Sequence, residues 1–147
     1  MSDFLANFMQ FALKQTNAER GLAVDTDLNT QSVVGLDAKA MSSQSFTDLT
    51  AKVLHDAITT QNPVMTNNII ADLSEAPKTN TSFTDLRMVV AIPVAQFGAI
   101  YIDRPIKFGV ISRDLIEKIT LFGNQLATSG ATQLTVDEMI AQFGVAS

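Results

Sequence analysis

Apolar residues along the chain recur at two spacings, and the change from one to the other divides it into helices and strands. From Phe4 to Leu13 they fall at helical positions with no Gly or Pro between them, which predicts a helix from about Asp3 to Gln15 that Ser2 can cap. On a helical wheel Phe4, Phe8 and Phe11 fall together, Leu5, Met9 and Ala12 lie beside them, and Leu13 extends the arc to roughly 200°, about twice the stripe a helix needs to pack on one core. Two faces of this helix therefore call for burial.

Arg20 to Asp25 and Gln31 to Leu36 are short strand-like runs separated by Thr26-Asp27-Leu28-Asn29-Thr30, a polar stretch of hairpin-loop length, so they read as an antiparallel pair. Ser45, with Asp48 three residues on, has the form of a capping box, and Leu49, Val53, Leu54 and Ile58 recur at helical spacing behind it, which predicts a helix to about Thr60. Asn62-Pro63 ends it, and Val64-Met65-Thr66 is a brief extended segment. Asn67 to Asp85 is mostly polar and holds Pro77; a loop of that length inside a compact domain is usually functional or mobile.

Met88 to Val94 is a continuous apolar, largely β-branched run suited to a strand buried on both faces, and Phe97 to Ile102 follows after the tight turn Ala95-Gln96. Pro93 is expected at a strand end or bulge, because it cannot donate to a ladder. Ser112 caps a further helix whose Leu115, Ile119, Phe122 and Leu126 form a seam, and Gly130 stops it. Thr135-Val136-Asp137-Glu138 is a capping box that opens a last short helix through Gln142, with Gly144 past its end. The order is that of an α+β sandwich, helices laid against an antiparallel sheet. Residues 1–130 are expected to form the domain, and residues 131–147 a C-terminal helical extension or linker.

Composition narrows the chemistry. The 147 residues suit one domain, and they contain no cysteine, which excludes a disulfide framework, a thiolate metal site and a cysteine nucleophile. A formal net charge of −5 with scattered Lys and Arg argues against nucleic acid as a partner. The apolar N-terminal stretch lacks a basic leader and meets Lys14 too early to span a membrane, so a cytoplasmic location is expected, with no membrane partner. No glycine-rich phosphate loop is present.

Among candidate reactive groups, His55 is the single histidine, and on a helix with no nucleophile elbow nearby it argues for a surface or pocket-rim role rather than for the base of a small cofactorless enzyme. The close pairs Asp25/Asp27 and Asp137/Glu138 sit in a turn and at a helix start, where backbone amides favour negative charge. Asp103-Arg104 is expected as a strand-end ion pair. The segment from Asn67 to Arg87 is the expected ligand lid, with Phe83 as an aromatic wall, Asp85 as an acceptor and Arg87 as a bidentate donor. The broad arc of Phe4, Phe8 and Phe11 and the seam of Leu115, Ile119, Phe122 and Leu126 are expected to meet their symmetry mates in a homodimer.

Four local sequences, in order, resemble the GAF family of regulatory domains from Asp3 to about Thr128. Ala18 to Asp25 looks like the family's first strand, and Ala57 to Val64 like a helix end with an Asn-Pro-Val entry to the third strand, followed by Asp72 at the expected loop position. Arg87 to Val94 resembles the strand written "rSvlavPl", and Gly98 to Arg104 the strand written "GvlYlDr". The resemblance implies a GAF-like antiparallel sheet of five to six strands, the N- and C-terminal helices on one face and a small-molecule pocket on the other. It further implies a non-catalytic sensory or regulatory module in signal transduction, coupled to an output domain or signalling partner, with a ligand-free relay scaffold as the alternative. Asp72 joins Phe83, Asp85 and Arg87 as expected ligand-binding residues. In the cyclic-nucleotide branch Asn-Lys, Phe and Asp-Glu contribute to the pocket; here Asn67-Asn68 lacks the lysine, Asp85 follows Phe83 by two residues rather than four, and no Asp-Glu pair follows. With no cysteine for a bilin either, no cofactor and no metal are expected.

Overall fold

The structure, a computed structural model, describes residues 3–36, 41, 42, 44–68, 87–105 and 111–146. In chain order these form α1 (Phe4–Thr16), β1 (Arg20–Val24), β2 (Thr30–Val34), α2 (Gln44–Thr60), β3 (Val64–Asn68), β4 (Arg87–Val94), β5 (Gly98–Pro105), α3 (Arg113–Ser129) and α4 (Val136–Ala146). The strands make one sheet of five in the order β2-β1-β5-β4-β3, every neighbouring pair antiparallel. This is the expected α+β fold, with the first and last helices on one face of the sheet.

Local chemistry sets the element ends. The Ser112 side chain accepts from the Leu115 amide, and Gly130, at φ 81°, closes α3 in the left-handed conformation. At the start of α4 the box is reciprocal: Glu138 N–H donates to Thr135 Oγ1 (3.1 Å) and Thr135 N–H to Glu138 Oε1 (3.0 Å). Asp3 precedes α1 and makes no side-chain cap, and the expected cap residue Ser2 lies outside the described residues; in α2 the Asp48 carboxylate accepts from Gln44 Nε2 at 2.7 Å. Pro93 lies within β4 opposite Ala99, past the point at Ala91 where the β3 ladder ends, so there the strand has a neighbour on one side only.

The two faces of β4 and β5 are both buried, so the sheet carries two cores. On one face Val90, Ile92, Ile100 and Ile102 pack against α1, α3 and α4; on the other Val89, Ala91, Ala99 and Tyr101 pack against α2. Gly123 of α3 lies against the ring of Phe8, whose Cζ would stand 2.5 Å from a Cβ there, and this absence of a side chain lets α3 approach α1. Gly98, at φ 142°, is required for a different reason: the carbonyl of Val24 occupies the place a Cβ would take.

The apolar arc of α1 is satisfied within the chain. Phe4, Phe8, Phe11 and Ile119 are wholly buried, and Phe122 and Leu126 nearly so. These residues of the expected dimer contact are core within one chain, and Leu115, its remaining member, is half-buried against the same core. The covering element is the tail, since α4 packs on α1 with Met139 and Phe143 buried, and the Phe143 ring meets Phe11 edge-on at 5.2 Å and Phe122 at 5.4 Å. Asn7 Nδ2 also donates to the Leu134 carbonyl across this contact. The helical part of the expected C-terminal extension or linker, α4, thus shares the core of α1 and α3 through Met139 and Phe143. Among the described residues no helix is long and apolar enough to cross a membrane.

If α4 closes the core, Phe143→Ala lowers stability by about 3 kcal/mol, as for other buried aromatics. Chemical denaturation measures it; a linker residue would change stability by less than about 0.5 kcal/mol.

Candidate functional site

One helix cannot cover one face of this sheet. Five strands at about 4.8 Å spacing are roughly 19 Å across between the outer axes, whereas a helix with its side chains is about 10–12 Å wide. Three helices share the other face, whereas among the described residues α2 packs chiefly on β4 and β5 and only thinly on the β1–β2 side. A cavity of about 240 Å³ opens there. Leu22 and Val24 of β1, with Leu28 and Thr30 of the hairpin, form its floor and one wall. Phe46, Thr47, Thr50, Ala51 and Leu54, from the first half of α2, and Met41 form the rest.

The hairpin wall is built unusually. Leu28 N–H donates to the Asp25 carbonyl (3.0 Å), closing a turn over Thr26 and Asp27, and Asp25 N–H donates to the Asn29 carbonyl (3.0 Å). The β1–β2 register slips between Ala23 and Val24, and Leu28 takes φ 67°. A turn of this kind ordinarily carries Gly at the left-handed position, because a side chain there costs about 1–2 kcal/mol. A leucine holds it here, and that leucine packs against the α2-side core.

The loop is tied down by one carboxylate. Asp25 Oδ1 accepts from the amides of Asp27 (2.9 Å) and Asn29 (3.0 Å), and Oδ2 accepts from Asn29 Nδ2 and Gln31 Nε2, both at 3.3 Å. The amide of Asn29 holds the Asp25 pKa below its ordinary value against the opposing effect of desolvation, with the Asp27 amide and the Asn29 side chain adding to it. The expectation that negative charge in this turn serves backbone amides holds for Asp25.

Next to the cavity lies a buried charge network. Arg20 of β1 stands directly opposite Asp103 of β5, donating from Nε to Oδ1 (2.8 Å) and from a terminal nitrogen to Oδ2 (2.7 Å). Tyr101 Oη donates to the same carboxylate at 2.5 Å, the Phe46 ring meets Tyr101 edge-on, and the Arg20 guanidinium sits 5.6 Å from the centre of the Phe46 ring. Burial works to lower the Arg20 pKa, but the hydrogen bond and charge of Asp103, with help from Tyr101 and Glu19, outweigh it and raise it further. The expected Asp103–Arg104 pair is corrected: alternation along β5 sends neighbours to opposite faces, and Arg104 instead donates to the Thr16 carbonyl at the end of α1 (2.8 Å).

Of the expected ligand residues, Asp72, Phe83 and Asp85 lie outside the described residues. Arg87 is the first residue of β4, paired with Asn68 of β3, so the segment leaves and rejoins the sheet on adjacent strands. Those strands are at the opposite edge from β1 and β2. His55 is exposed on α2. Among the described residues no group of three His, Cys, Asp or Glu is placed to hold a metal ion. Sequence reasoning missed the cavity and the network; the one local signal was a leucine at the tip of a polar hairpin loop, in Asp25-Thr26-Asp27-Leu28-Asn29.

A scan against protein-family models and a search of the curated proteins found no match. Among solved structures, the chain is similar to the crystal structure of a GAF domain/HD domain protein from Geobacter sulfurreducens, with a TM-score of 0.54 and 12% identity over 97% of this chain and 93% of that one. The fold is GAF-like, and the cavity lies on the sheet face away from the terminal helices.

Two outcomes follow. Arg20→Met leaves the buried Asp103 carboxylate without its cation and costs about 3–5 kcal/mol in denaturant unfolding, whereas Tyr101→Phe costs about 1–3 kcal/mol. For Asp25, the unfolded chain takes up the proton first as pH falls, so the stabilisation is complete above about pH 4 and is lost as pH drops through the lowered folded value. An Asp25→Asn variant is therefore less stable than the parent at neutral pH, and the difference closes in acid.

Proposed function

We propose that this chain is a non-catalytic sensory or regulatory module whose ligand occupies the cavity between the first half of α2 and the β1–β2 hairpin. The observation that carries this reading is the cavity itself: a space with mostly apolar walls, on the one sheet face that a single helix cannot cover. The likeness to a protein named for a GAF domain and an HD domain supports a regulatory role coupled to an output. A ligand bound there touches α2 and β1, and β1 pairs with β5, whose opposite side chains Ile100 and Ile102 pack in the core with α1, α3 and α4. Occupancy that favours one packing of α2 on the sheet would bias those helices. Subunit pairing through the α1 phenylalanines and the Leu115, Ile119, Phe122 and Leu126 seam is no part of this reading, because all of those side chains but the half-buried Leu115 are buried inside one chain.

Native mass spectrometry compared with the denatured mass tests the site. The purified protein is expected to retain a small molecule that Ala51→Trp, which fills the cavity from α2, releases without unfolding the chain. Equal retention by the folded Ala51→Trp variant would place the ligand elsewhere, and a bare mass joined to the absence of any thermal shift across a library of small molecules removes the reading.

A further inference from the structure

The cavity walls define what the site accepts. Among the described residues that line it, none is charged. Lys52, next to Ala51, is exposed on α2, and Arg20, two residues before Leu22, is spent on Asp103 through two hydrogen bonds and covered by Phe46. An anion placed in this cavity would lose water and find no countercharge among the described lining residues, which is costly. The volume of about 240 Å³ lies below the usual range for drug-sized ligands, yet above the roughly 150 Å³ that accommodates a benzene ring.

The polar groups in the walls are threonine hydroxyls, and the buried one, Thr50, donates its proton to the Thr47 carbonyl at 3.2 Å. With its proton engaged there, the hydroxyl of this lining residue has only acceptor capacity left, which favours a ligand that donates. Leu28 supplies the last element. It is held at φ 67° where glycine would be unstrained, and its side chain is part of the hairpin wall of the cavity, so a backbone cost is borne at the position whose side chain bounds that space.

Resting on the cavity proposed above, we infer that this site takes a small uncharged molecule, mainly apolar, with one hydrogen-bond donor that bonds Thr50, and that Leu28 is the wall that limits its length. Phenols and indole-like amines have this chemistry; carboxylates and phosphates do not.

Three probes of similar outline separate the terms: p-cresol, toluene and p-toluate, titrated into the full chain and followed by amide chemical shifts. Amides of Leu22, Leu28 and Thr50 are expected to move with p-cresol and not with p-toluate at the same concentration. Thr50→Val should weaken p-cresol about five- to tenfold, the loss of one hydrogen bond, and leave toluene unchanged, while Thr50→Ser restores p-cresol and controls for folding. Leu28→Gly should raise the affinity of the longer 4-phenylphenol relative to p-cresol by about tenfold, the scale of a few buried methylenes less than fully recovered. Binding of p-toluate as tight as that of p-cresol would overturn the uncharged class, and p-cresol affinity unchanged in Thr50→Val would overturn the anchor. An unchanged ratio of 4-phenylphenol to p-cresol in Leu28→Gly would overturn the role of Leu28. If neither the parent nor Leu28→Gly, both folded, binds any of the four probes, the cavity is not a ligand site and the reading beneath this inference fails with it.

Discussion

The structure depends on one constraint: β4 and β5 must be buried on both faces. Val89 to Ile92 and Ala99 to Ile102 leave no exposed surface on either side. A strand apolar on both faces cannot border water, so the chain has to supply helices above and below it. It does so unequally. Three helices and a cluster of phenylalanine rings build one layer, whereas α2 is the helix described on the other. The thick layer is packed closely enough that Gly123 is needed beneath Phe8. Among the described residues the thin layer leaves a cavity of about 240 Å³ between α2 and the β1–β2 hairpin.

Into the thin layer the fold also places its buried charge. A carboxylate with no exposed surface is stable only when its charge and its lone pairs are met, and Asp103 has Arg20 opposite it and Tyr101 two residues before it on the same face. Because Arg20 and Asp103 are cross-strand partners, a slip of one residue would send one of them to the other face and strand the other, so the pair specifies the β1–β5 register. The same pairing removes the guanidinium from ligand chemistry. The polar character of the neighbouring cavity is left to hydroxyls.

The hairpin between β1 and β2 joins these two features. Its backbone is held by Asp25, and its strained Leu28 reaches the cavity that Leu22 and Val24 floor. A loop anchored at a carboxylate and shaped by one leucine is a means of altering the size of the site without altering the sheet.

The elements were legible because they are local. Hydrophobic spacing located both long helices after the first, and the capping chemistry of Ser112, Gly130, Thr135 and Glu138 is realised as the residue types imply. The apolar run from Met88 to Val94 announced a strand buried on both faces. The width of the apolar arc on α1 was likewise legible, but not what covers it. A wheel counts faces that need burial and cannot tell a symmetry mate from the tail of the same chain, and here Phe143 and Met139 meet that need. The same holds for the site: Arg20 and Asp103 are 83 residues apart, and the residues that line the cavity come from separate segments that carry no shared motif. Period and caps depend on near neighbours and are written in the chain; pairing of charges, coverage of faces and empty volume depend on how elements stack, which only the tertiary structure decides.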